Sequence, residues 1–285
     1  MHPSLRPPPL LLAGIVFVLG TATAPAGEEV WRLEQFWTGP KKPLVDMTYG
    51  TGWVRHRLFQ GNFNGVGTVE VRLGYSKAFP QQSNVVDLSD KFFFFNYTAS
   101  DLFGRTPDQA KVTTEIVRFG YGGSRGFAYD FTTSYLYPYS QTTVRWTRLS
   151  SGRPAGLSLQ DAEVLDRYED AFRFGTSAEA GVALGFAQVF TAHAGYEVSA
   201  VYPRHVFWQW VGSYGLAMVG MSAVSHFGEE IVEISPDVGP VVYTLLRGGL
   251  AYGYYLLVRD NQYWPFKSET PLTTDGFRFG ITLTF

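Results

Sequence analysis

Two histidines stand near residues that could form reactive pairs. His193 is followed by Glu197 and Ser199, the residue types of general acid–base and nucleophilic chemistry. All three fall on one face of a segment that alternates apolar and polar residues, so it reads as a strand. At ~3.3 Å per residue, His193 and Glu197 are about 13 Å apart along that strand. They cannot form a direct dyad, and a partner would have to come from another strand. His226 precedes Glu230 by four residues and follows Ser225. On a helix, side chains at i and i+4 meet. A metal would need further ligands, and no HExxH spacing is present. The plainer reading is a polar helix end. His193 and His226 are therefore weak catalytic candidates, with lipid hydrolysis or acyl transfer as the chemistry to weigh. No metal and no cofactor are expected.

The Gly120-Tyr121-Gly122-Gly123-Ser124-Arg125-Gly126 stretch is glycine-rich. It lacks the lysine and the strand-to-helix context of a phosphate loop. It reads as a tight turn, with a second at Tyr139-Ser140.

The elements that must position these groups are strands. Phe277, Phe279, Ile281, Leu283 and Phe285 occupy alternate positions to the end of the chain, opposed by Gly276, Arg278, Gly280, Thr282 and Thr284. Successive strand residues point to opposite faces. The pattern recurs upstream and predicts strands at 64–78, 90–103, 111–123, 126–138, 141–150, 166–187, 189–203 and 275–285. The segment 47–59 is a weaker candidate. Eight strands are preferred; adding 47–59 and 247–259 would give ten. Segments of this length suit a membrane crossing, which takes about ten tilted residues. With eight strands, the connections 79–89 and 151–165 fall at the end of a barrel opposite its C-terminus.

If the apolar faces meet lipid, then Glu70, Arg72, Arg118, Asp130, Arg145, Arg173, Glu179, Glu197 and Arg278 point into the lumen. An eight-stranded barrel is just wide enough for side chains to fill it. Charges of both signs then make a salt-bridged plug; in a wider barrel they would line a solute pathway. Tyr135, Tyr137, Tyr139, Tyr263 and Trp264 fit an interfacial aromatic girdle, and Trp208 and Trp210 would anchor a neighbouring element at the same level.

Residues 204–274 break the alternation. Val206 to Ser225 carries no charge, and a second apolar segment runs from Val238 to Val258 with only Arg247 within it. Ser235-Pro236-Asp237 between them resembles a helix start, with proline at the first helical position. A helical hairpin inserted before the last strand is expected, as a cap, a plug or a docking element for a protein partner. A rival reading has the two segments span an inner membrane. It leaves the alternating segments unexplained.

Arg6, the apolar run Leu10 to Leu19 and the small residues Thr21 to Gly27 read as a signal peptide over 1–26. An N-terminal segment over 27–63 and a barrel over 64–285 would follow. Charged residues make up 17% of the 285, against roughly 25% in soluble domains, while aromatics reach 16%. That balance suits a lipid-facing surface. A net charge of −2 gives no footprint for nucleic acid. Cysteine is absent, which excludes disulfides and thiolate chemistry.

On the leader, the repeated amphipathic strands and the run Phe277-Arg278-Phe279-Gly280-Ile281-Thr282-Leu283-Thr284-Phe285, the chain resembles bacterial outer-membrane β-barrel proteins as a class. The resemblance implies residence in the outer membrane, contact with its lipid, and recognition of Phe285 and its alternating partners by the barrel-assembly machinery. It carries no specific reaction. The functions open are a structural, interaction or small-solute passage role, and a lipid-modifying barrel enzyme.

Overall fold

Long period-two segments can satisfy their backbone only by pairing side by side, and closure removes the last free edges. A computed structural model describes residues 41–81, 84–131, 133–186 and 189–285. Eight antiparallel strands form a closed barrel in sequence order. They are β1 (Lys42–His56), β2 (Val66–Pro80), β3 (Val85–Ala99), β4 (Thr113–Asp130), β5 (Ser134–Gly152), β6 (Arg173–Phe186), β7 (Phe190–Val201) and β8 (Leu272–Thr284). The closing seam pairs Leu44 with Thr284 and His56 with Leu272. The expected signal peptide lies outside the described residues.

The total of eight agrees with expectation, but the set of strands differs. The barrel begins at Lys42 rather than 64, because most of the weak segment 47–59 belongs to β1, which ends at His56. The predicted strands 111–123, 126–138 and 141–150 are only two, β4 and β5. No turn occurs at 122–126 or at Tyr139-Ser140; the reversal lies between Asp130 and Ser134. The glycines of β4 serve close packing within the sheet. A Cβ on Gly120 would collide with the carbonyl oxygen of Val144 on β5. This shift also moves the connections. The one between β2 and β3 lies at the end carrying the chain's C-terminus, not opposite it. The connection between β5 and β6 lies at the far end, as expected.

Moving the reversal flips the tyrosines. Phe127 and Tyr129 face outward, whereas Tyr135, Tyr137 and Tyr139 point into the lumen instead of a girdle. The hydroxyl of Tyr139 donates to Glu179 at 2.5 Å, and that of Tyr135 pairs with Thr191 at 2.5 Å. Tyr263 is also buried, its hydroxyl donating to the Arg204 carbonyl at 3.1 Å. Trp264 and Trp208 remain exposed.

The outer wall exposes Met47, Tyr49, Leu73, Phe93, Phe95, Phe277 and Ile281, among others. Soluble monomers rarely expose apolar surface on this scale. A hydrocarbon surrounding makes it stable.

The insertion is the expected hairpin. A short helix α1 (Leu159–Asp166) lies in the β5–β6 connection, capped by Ser158, which accepts from the Asp161 amide at 3.1 Å. Helices α2 (Phe207–Ile234) and α3 (Gly239–Asp260) precede β8, with Pro240 in the first turn of α3. α3 packs against the outside of the barrel, over β4 to β7, and α2 packs on α3. Thr244 donates to the Pro138 carbonyl at 3.0 Å, and Arg247 donates through Nε to Ser140 at 3.1 Å. The bend between the helices reaches the end of β4, where the Tyr129 hydroxyl donates to the Asp237 carbonyl at 2.8 Å. Val85, Phe127, Val232 and Tyr243 form one apolar contact between wall and hairpin, and Ala200 and Phe174 form a second with Val258 and Trp210.

Candidate functional site

The lumen is built in layers. At the end where the hairpin enters, Val54, Val66, Ile116, Leu149, Val201 and Leu272 close it with an apolar cluster. Tyr168 comes in from the β5–β6 connection and packs into the same cluster. Its hydroxyl donates to the Thr270 carbonyl at 3.0 Å, which holds the ring in place as a lid.

Below the lid, four guanidiniums and four carboxylates fill the centre: Arg72, Arg118, Arg145 and Arg278 with Asp46, Glu70, Glu179 and Glu197, all buried. Arg145 binds Glu197 with two bonds of 3.1 Å, and Arg278 reaches the same carboxylate at 3.0 Å. Arg72 lies 2.6 Å from Glu70 and 3.3 Å from Glu179, and donates to Gln141 at 3.0 Å. Arg118 donates to neutral oxygens of Asn96, Thr98 and Thr274. A buried ion is tolerable only when paired and hydrogen-bonded. Arg72, Arg145 and Arg278 meet the first requirement, whereas Arg118 is held by neutral oxygens alone, and its Nε, like that of Arg278, has no hydrogen-bond partner.

Of the nine charges expected in the lumen, seven therefore meet in this network. The other two do not. Asp130 is exposed at the rim near the C-terminal end. Arg173 is half-buried at the start of β6, at the lid end, and its Nε has no hydrogen-bond partner.

Past the ion layer the lumen widens into a blind cavity of about 280 Å³ toward the C-terminal end. Asp46, Arg72, Tyr139 and His193 line its deep part, and Phe92, Leu88, Tyr135 and Tyr137 its walls. His193 Nε2 lies 2.7 Å from Asp46 Oδ2. Thr48 and Thr282 donate to the same carboxylate at 2.7 and 2.6 Å. The Tyr139 hydroxyl is 3.5 Å from His193 Nδ1. Glycines leave room for these rings. A Cβ on Gly181 or Gly195 would press on the Tyr139 hydroxyl, and one on Gly280 would overlap the His193 ring.

His193 thus gains an acid from β1, on the other side of β8, but Glu197 and Ser199 are not its partners. Glu197 holds two arginines, and Ser199 pairs with Thr274 at 2.6 Å. The resulting set is histidine, aspartate and phenol. His226 sits on the exposed side of α2, 3.5 Å from Glu230, with both side chains more than half exposed. That is the polar helix surface of the plainer reading.

Sequence reasoning missed Asp46, Gln141 and the outward cluster of Arg125, Asp87 and Glu229. Asp46 lies in a segment whose alternation is weak. Arg125 falls in the glycine-rich stretch that reads as a turn, where strand parity gives no direction.

These features define a closed eight-stranded antiparallel β-barrel with a helical hairpin on its outer wall. No family model matches the chain, and no curated protein matches it. Among solved structures it is similar to Neisserial surface protein A (NspA), at 11% identity and a TM-score of 0.37, over 87% of this chain and 100% of that chain.

Proposed function

We propose that this is an outer-membrane barrel that serves as a closed anchor and interaction surface, not as a route for solutes. The observation that carries this reading is the neutral ion layer across the lumen, anchored by the Arg145–Glu197–Arg278 contacts. Opening a path there would require pulling these buried pairs apart, and breaking a buried pair costs about 3–5 kcal/mol. The lid around Tyr168 is a second seal in series.

The apolar belt and strands of 12 to 19 residues support a membrane setting. The terminal run Phe277, Phe279, Ile281, Leu283 and Phe285 supports the outer membrane and delivery by the barrel-assembly machinery. Those side chains face outward and are exposed, as a recognised strand requires. The insertion, held on the outer wall, is the surface available to a partner. No specific observation favours a lipid-modifying activity at His193 or His226. The two-helix inner-membrane reading leaves the closed barrel without a purpose.

Liposome swelling tests the proposal. Vesicles carrying the folded protein should swell in a small sugar no faster than protein-free vesicles. Swelling that depends on sugar size would refute it.

A further inference from the structure

A second hollow, of about 410 Å³, lies outside the lumen where the end of α3 meets the wall. Its charged groups are Arg55 at the end of β1 and Arg57 just beyond it, Arg259 and Asp260 from the end of α3, and Asp275 from β8. Asp275 is already engaged on both oxygens, by Arg55 at 2.7 Å and by the Tyr196 hydroxyl at 2.6 Å. Asp260 is shared between Arg57 at 3.2 Å and Arg259 at 3.7 Å. Three guanidiniums thus face two carboxylates, which leaves one positive charge in excess. Each arginine side chain is still half or more exposed, at 63%, 60% and 50%.

His56 and Thr273 add polar groups, and the remaining lining is Pro271, Val198 and three tyrosines. Tyr252 and Tyr255 of α3 form one side of the hollow, and Tyr196 and Val198 of β7 the other. Directly along β8 from Asp275 runs the exposed stripe of Phe277, Phe279 and Ile281. A polar, net-positive hollow at a strand end, continuous with a lipid-facing stripe, matches an amphiphile with an anionic head. Guanidiniums recognise phosphate oxygens by charge-assisted, paired hydrogen bonds.

We propose that this seam binds the phosphorylated headgroup of a membrane lipid, with its acyl chains lying along β8. The inference rests on the membrane setting argued above, but it does not need the lumen to be closed.

Native mass spectrometry of the folded full barrel in detergent tests it, with phosphatidic acid, diacylglycerol and inorganic phosphate as probes. The comparison is wild type against a protein with Arg57→Gln and Arg259→Gln. Wild type should retain phosphatidic acid about ten-fold or more better than diacylglycerol. The double variant should lose that preference, as expected from removing charge-assisted hydrogen bonds. Arg148→Gln, a surface arginine elsewhere, should bind as wild type does. Equal binding of the two lipids, or undiminished binding by the double variant, overturns the proposal. Displacement of the lipid by an equal concentration of inorganic phosphate also overturns it, because the ligand would then be the free anion. Folding is checked separately by the gel shift between heated and unheated samples. A conducting barrel that still retains phosphatidic acid would refute the closed-lumen reading and leave this one standing.

Discussion

Arg125 on the outer face of β4 lies 2.9 Å from Glu229 of α2 and 2.9 Å from Asp87 of β3. A guanidinium on the outer wall of a membrane barrel is costly when it faces hydrocarbon. The hairpin covers it and supplies a carboxylate. Arg247 of α3 adds a second polar tie, to Ser140 on the wall and to Ser225 and Tyr243 on the hairpin itself. Thr244 and Tyr129 add bonds to the carbonyls of Pro138 and Asp237, and apolar side chains pack beside these ties. The position of the hairpin is therefore specified by polar pairs, which lipid cannot replace, while apolar contact alone would be worth little against lipid.

Docking on the outside can be tested by cross-linking in a chain with no cysteine of its own. A Cβ placed on Gly248 of α3 would lie 3.1 Å from that of Ala180 on β6. This is slightly inside the ~3.5–4.5 Å of a disulfide, a gap that a small shift closes. Ala180→Cys with Gly248→Cys should form a disulfide on oxidation, seen by mass and by altered gel mobility. Two thiols that stay free under oxidant would place the hairpin elsewhere.

Glu197 is the hub of the ion layer. Glu197→Ala leaves Arg145 and Arg278 without their carboxylate in a buried site. The expected loss is about 3–5 kcal/mol, read by urea unfolding of the folded barrel. Glu197→Gln keeps oxygen and shape, and should cost less. Equal stability of Glu197→Ala and wild type would mean that water already solvates those arginines.

Gly280 makes room for the His193 ring. Gly280→Ala should destabilise by about 1–3 kcal/mol, the usual cost of overpacking. Combining it with His193→Ala removes the clash with the ring and leaves only that with the Thr48 hydroxyl, at 2.7 Å. The double variant should then be more stable than the sum of the two single effects requires. Strict additivity would show that His193 does not occupy that space.

Tyr168 seals the lid end. Tyr168→Ala should cost about 3–5 kcal/mol by leaving a void among Val54, Ile116 and Leu272. It should not create a channel, because the ion layer lies beneath. Conductance from this single variant would show that the ion layer is permeable.

How far the sequence reported all this depended on whether the signal was local. The terminal strand was legible because its alternation is unbroken from Phe277 to Phe285. Seven of the nine inward charges were legible for the same reason: parity along a strand fixes direction. The break between β4 and β5 was misplaced because Gly122 to Gly126 carries turn composition, although those glycines serve close packing between paired strands. That single error reversed the tyrosines of β5 and hid the outward direction of Arg125. The Asp46–His193 pair was illegible for another reason. The two residues are 147 positions apart, and they meet only because β1 and β7 both pair with β8. Nothing local encodes that closure. The hairpin could be seen as helical, but its place on the wall depends on cross-element pairs such as Arg125 with Glu229.

The central claim is that the lumen is sealed, and planar-bilayer recording of the folded wild-type barrel tests it most directly. The ion layer and the Tyr168 lid predict a flat baseline with no unitary steps across the voltage range the bilayer tolerates. Reproducible unitary conductance that scales with the amount of folded protein would contradict the account.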